Sequence, residues 1–166
     1  MPTAPPSRVP RTATSAEELL RRALLWLASV ATLGTALELV LLRHWDNPLE
    51  LIPFVAIAAV SVAIVLVGRR PTARSVAAAR VLGSLVLATS VFGVFVHVRA
   101  NYEAAPLDFR YTASWPTTPE PLRWLLAATD TVGPSPSLAP AAIAFIALAL
   151  LLATLRHPAT TAPATG

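Results

Sequence analysis

Apolar runs of similar length recur four times along the chain, separated by stretches rich in arginine or proline: Ala23 to Leu42, Leu51 to Gly68, Val81 to Val98 and Ser137 to Leu155. An α-helix rises 1.5 Å per residue and a bilayer's hydrocarbon core is ~30 Å thick, so a crossing takes roughly 17 to 25 apolar residues. Each run meets that requirement. The pattern predicts an all-α protein, a four-transmembrane-helix bundle over residues 15–157 with spans at about 23–42, 51–68, 81–98 and 137–155. Residues 1–14, where Pro2, Pro5, Pro6 and Pro10 stand among Thr, Ser and Ala, are expected to form a disordered tail, and so are residues 158–166. Arg21 and Arg22 precede the first run as they would in a signal peptide. That run is too long for an ordinary signal core, and no small-residue cleavage site leads into polar sequence, so it is expected to be a retained span.

Polar punctuation places the helix ends. Ser15 followed by Glu18 has the spacing of a capping box, in which each side chain satisfies the other's backbone N–H. Asn47, Pro48 and Glu50 form the start signal of the second span, with Asn47 as cap and proline at the first helical position, which predicts a very tight turn after span one. Pro53 and Pro140 fall in first turns, where a missing N–H costs little. The third connection, Arg99 to Pro136, mixes six prolines with Tyr102, Phe109, Tyr111, Trp115 and Trp124. Such a mixture favours packing at the membrane interface, and Thr118 to Thr131 is expected to hold a short interfacial helix.

Composition agrees: 55% of residues are hydrophobic and only 13% charged, against about a quarter charged in soluble domains. There is no cysteine, which excludes disulfides, thiolate metal sites and covalently attached c-type haem. All thirteen basic residues are arginine, a bias suggestive of a GC-rich bacterial genome. Arg8, Arg11, Arg21, Arg22, Arg69, Arg70, Arg74, Arg80 and Arg156 fall on one side of the expected topology, and Arg43, Arg99, Arg110 and Arg123 on the other. Short arginine-rich loops stay in the cytoplasm. The chain is therefore expected in the bacterial cytoplasmic (inner) membrane, multi-pass, with both termini cytoplasmic and the third connection outside. The net charge of +4 sits beside hydrophobic runs and not in an interleaved basic and aromatic patch, so the lipid bilayer is the expected partner and nucleic acid is not.

Candidate chemistry lies in the few polar residues within or beside the runs, because a charge near the bilayer centre is costly unless compensated. Glu38, the only formal charge inside a run, stands about one turn from the outer end of span one. Pairing with Arg43, His97 or Arg99 would lower its cost. In span three, Arg80, Gly83, Leu87, Ser90, Val94, His97 and Asn101 recur every three or four residues and share one face, with Gly93 beside it. A small and polar stripe is what close helix packing in a membrane uses. Spans one and three both end outside, which brings Glu38, His44, Asp46, His97, Asn101 and Glu103 to one end of the bundle. From these, Glu38, His44, His97 and Glu103 form the candidate metal-ligand set, imidazole being a common ligand for transition metals. Bis-histidine haem ligation would need His44 and His97 opposed at similar depth. No nucleophile elbow or phosphate-binding loop is present. The leading expectation is a small accessory or interaction subunit, with a membrane-protein partner or a homo-oligomer formed through faces such as Gly83, Ser90 and Gly93. The alternatives are a metal-, haem- or quinone-binding protein with an outer-face site, and a small oligomeric transporter.

The string Glu38-Leu39-Val40-Leu41-Leu42-Arg43-His44-Trp45-Asp46-Asn47-Pro48, with Ile52-Pro53 and then Gly93, His97, Asn101 and Glu103, resembles small four-span bacterial membrane proteins for which no activity is established. Leu138-Ala139-Pro140 and Arg156-His157-Pro158 extend the likeness across all four spans. The resemblance implies a four-helix membrane fold, implies no activity, and groups His44, His97, Asn101 and Glu103 together.

Overall fold

The computed structural model describes residues 15–69 and 71–161. The expected N-terminal tail, Arg70 and residues 162–166 lie outside them. Every element among the described residues is helical: α1 (Ala16–Leu41), α2 (Ile52–Arg69), α3 (Ala73–Ala104), α4 (Glu120–Ala128), α5 (Ala139–Ala153) and the single turn α6 (Pro158–Thr161). Short 3-10 turns at Pro48–Leu51, Ala105–Leu107 and Trp115–Thr117 join them. Three helical stretches, Ala16–Leu41, Pro48–Arg69 and Ala73–Leu107, are long and apolar enough to cross a membrane. The fourth apolar helix, α5, has 15 residues, which at 1.5 Å each is about 22 Å.

The helices begin where side chains can satisfy their free N–H groups. Ser15 accepts from the Glu18 N–H as expected, but Glu18 turns outward to pair with Arg22 one helical turn on, so the reciprocal half of that box is missing. The Asn47 carbonyl oxygen accepts from the Leu49 and Glu50 N–H groups at 3.0 and 3.3 Å, and the Glu50 carboxylate reaches back to the Asp46 N–H at 2.8 Å. Thr72 and Ser75 form a complete capping box at the start of α3. That box extends α3 well before its apolar run, so Arg74 is helical too, and Arg80 lies two turns into the helix. Helix α1 ends in a Schellman turn, with His44 N–H on Leu39 C=O and Arg43 N–H on Val40 C=O. Arg43 takes the left-handed conformation (φ 51°) that glycine usually fills there.

Helix α5 is the centre of the bundle and packs against α1, α2 and α3. Its Ile146 and Leu150 join Ala28, Val60, Ala63, Val67 and Ala79 in one buried cluster, while Ile143 and Ala147 join Ala56, Ile57 and Val86 in a second. Alanine and glycine at these contacts let backbones approach, which drives helix association where lipid offers no hydrophobic contrast. A Cβ on Gly83 would lie 3.1 Å from Leu151, and one on Gly93 would lie 3.0 Å from Pro140. The small-residue stripe of α3 is thus filled by α5 of the same chain. Hydroxyls inside the bundle stay satisfied: Thr32 and Ser90 donate to the carbonyls of Ala28 and Val86, one turn back.

At the end of the bundle holding the first residues of α1, two arginines close α5. Arg21 donates through Nε to Ala153 C=O at 3.1 Å, and Arg80 donates to the hydroxyl and carbonyl of Thr154. Cations here meet the unsatisfied carbonyls and the negative end of the helix dipole. His157 is buried beside them, and its Nδ1 accepts from the Ala159 N–H. Residues 158–161, placed in a disordered tail by composition, form the turn α6.

Candidate functional site: a chamber beside two histidines

The chain after α4 returns alongside α3 in the opposite direction. Asn101 meets Ser135 and Ser137, His97 meets Pro136, Gly93 meets Pro140, and Arg80 meets Thr154. Helix α5 therefore starts about three turns short of the end of α3, and residues Pro134 to Leu138 descend beside α3 as non-helical backbone. Beside that descent a chamber of about 540 Å³ opens between the start of α2, the outer half of α3 and the start of α5. Its apolar wall includes Pro53, Ala56, Phe92, Val96, Pro140 and Ile143, and its polar residues include His44, Asn47, Glu50, Thr89, Ser90 and His97. That size falls within the range of small-molecule sites, which are mostly apolar with a few polar groups.

Hydrogen bonding fixes the imidazole of His97. Its Nδ1 lies 3.1 Å from the Pro136 carbonyl oxygen. A carbonyl only accepts, so Nδ1 carries the proton and, in the neutral ring, Nε2 is left as an acceptor. The Glu50 carboxylate is occupied by the Asp46 N–H and by the Asn47 amide at 2.5 Å. His44 is half-buried, and its ring makes no hydrogen bond among the described residues.

The expected ligand set divides. His44 and His97 line the same chamber, whereas Glu103 is exposed and paired with Arg99 at 2.7 Å. Glu38 is on the exposed face of α1, with no ion pair to Arg43, His97 or Arg99. No group of three or more His, Cys, Asp or Glu side chains is placed to hold a metal ion among the described residues. Of the α3 stripe, Arg80 caps α5, Ser90 is buried in the chamber wall, His97 faces the descending chain, and Asn101 is fully buried at its top.

Asn101 is the hub of the outer connection. Its amide nitrogen lies within hydrogen-bond reach of the carbonyls of Ala127 and Ser135, the Asp130 carboxylate and the Ser137 hydroxyl, and its oxygen accepts from the Ser135 N–H at 2.7 Å. Asp130, left-handed at φ 54°, also accepts from the Ser137 N–H. Gly133 crosses so closely that a Cβ there would fall 2.4 Å from the Asn101 oxygen. Above this knot, Tyr102 stacks on Trp124 at 4.5 Å and meets Trp115 edge-on at 5.5 Å, while Ala105, Trp115, Ala127 and Val132 form a small core. Arg123 braces the cap through the carbonyls of Thr118 and Pro116. The apolar tip Leu107 and Phe109 stands out from it, with Asp108 between them bridged to Arg110.

Glu50 and the proline-bounded descent were not among the residues singled out for chemistry. The only signal for Glu50 was its spacing after Asn47, which reads equally well as a cap alone. No family model, curated protein or solved structure matches the chain.

Proposed function

We propose that this chain is a four-span protein of the bacterial cytoplasmic membrane, with both termini in the cytoplasm, that serves as an accessory or interaction subunit and not as an enzyme. Support comes from the outer connection. It is a built cap, tied to α3 by a buried amide and an aromatic stack, and it holds out Leu107 and Phe109, which are 86% and 89% exposed. The Asp108 to Arg110 ion pair and the Thr112 hydroxyl on the Pro106 carbonyl hold the backbone around that tip. A fixed apolar pair at the head of a braced cap suits a partner's apolar groove.

The test is native mass spectrometry of the full chain extracted in mild detergent, beside a Leu107→Asp/Phe109→Asp double variant. A discrete complex with a copurifying membrane protein, lost in the variant, is expected. A lone monomer from the unaltered chain, or a complex indifferent to the variant, overturns the reading. The chamber favours a second reading, an outer-face ligand site, because it collects both histidines beside an apolar wall.

A further inference from the structure

The outer chamber combines an apolar and a polar lining. Leu49 in the turn before α2, Ile52 in α2 and Phe92 in α3 border it while remaining 72%, 40% and 61% exposed. In a membrane that surface faces lipid, so the mouth opens sideways into the outer leaflet. The two imidazoles line the same space. Irregular backbone at membrane depth is tolerated where it lines a cavity, which is the situation of Pro134 to Pro136.

The chemistry of the polar lining is selective. Glu50 and Asn47 are committed to the cap of the turn leading into α2: their oxygens accept from backbone N–H groups, and the Asn47 amide nitrogen donates to the Glu50 carboxylate. The open polar atom of defined character is the Nε2 acceptor of His97, with the His44 ring beside the same space. No arginine is among the described residues that line the chamber, and one carboxylate is. A phosphate headgroup would enter without a cation to pair it, at a desolvation cost of several kcal/mol.

We propose that the chamber binds a neutral amphiphile from the outer leaflet, its tail in the lipid-facing mouth and a hydroxyl on its head donating to Nε2 of His97. This inference rests on the membrane placement proposed above, and is independent of any protein partner. A membrane quinol and a diacylglycerol both offer this chemistry.

With three histidines in the chain, ¹⁵N-imidazole resonances of the full protein in phosphatidylcholine nanodiscs report the site almost without overlap. Before ligand is added, His97 is expected as the tautomer protonated at Nδ1. Decylubiquinol or dioctanoylglycerol is then titrated in separate arms, with phosphatidylglycerol as the anionic control. At least one neutral arm is expected to shift His97 Nε2 saturably while His157 stays unmoved, and the responding arm identifies the head. Ala100→Leu and Thr89→Phe, on different stretches of the wall, keep both imidazoles and are each expected to raise half-saturation by at least about tenfold. The proposal is overturned by the other tautomer, by no His97 response in either neutral arm, by an equal response to phosphatidylglycerol, or by binding unchanged in both variants. A negative titration alongside an intact native complex removes the ligand and leaves the accessory reading standing.

Discussion

A single amide, Asn101, joins the apolar helices of this molecule to the cap formed by residues 105–137. Its side chain substitutes for backbone hydrogen bonds in two segments: at the Ala127 carbonyl near the end of α4, and at the N–H and carbonyl of Ser135 in the descent. Removing it takes the partner from the N–H and the carbonyl of Ser135, each loss costing ~1 to 3 kcal/mol. Asn101→Ala is therefore expected to destabilise the cap by about 2 kcal/mol or more, read as an earlier denaturant transition of the buried Trp115 emission than of the helical signal. Coincident transitions with no loss of stability would refute the hub. Asn101 itself was legible in sequence, as the last polar position of the α3 stripe. Its partners were not, because Asp130 and Ser135 lie 29 and 34 residues away and no periodicity connects a loop to a helix face at that distance.

At the scale of the element, the apolar run marks where lipid begins and not where a helix ends. Helix α3 illustrates the difference, because the Thr72 and Ser75 box starts it eight residues before Val81 and the polar residues Arg99 to Glu103 continue it past Val98. Arg80 thereby becomes a helical side chain able to reach Thr154, and with Arg21 it closes α5. The two guanidiniums have a consequence for His157. Burial, followed by the charges of Arg21 and Arg80, holds this imidazole below its ordinary value of about 6.5. The folded state thus disfavours a proton that the unfolded chain accepts, so stability is fully present above about pH 6.5 and declines as pH falls from there toward the folded value. His157→Asn, which keeps an acceptor for the Ala159 N–H, is expected to flatten that decline between about pH 7 and 5. Thermal melts of both proteins across the range measure it, and parallel slopes would show that His157 does not carry the dependence.

At the scale of the whole molecule, the open matter is how a helix of about 22 Å serves in a bundle whose α3 has 32 residues and measures about 48 Å. The contacts along α3 supply the answer. Helix α5 meets Gly93 at its start and Arg80 at its end, so it traverses most of the apolar stretch between the two, and its carbonyl end emerges beside Arg21 near the start of α1. Chain entry and exit thus stand at the same end of the bundle, as they must if the polypeptide crosses an even number of times. The three long apolar helices were readable because length and hydropathy alone make a helix able to cross. The shorter reach of α5 was not, since it depends on the proline-bounded descent being held by His97 and Asn101. A chain without cysteine makes the topology directly measurable, because each introduced thiol is the only one. Thr112→Cys is expected to react with a membrane-impermeant maleimide in intact cells, whereas Ala77→Cys and Thr160→Cys are expected to react only after permeabilisation. If Thr160→Cys labels from outside while Ala77→Cys does not, α5 turns back within the bilayer or lies on its face, and the bundle crosses three times.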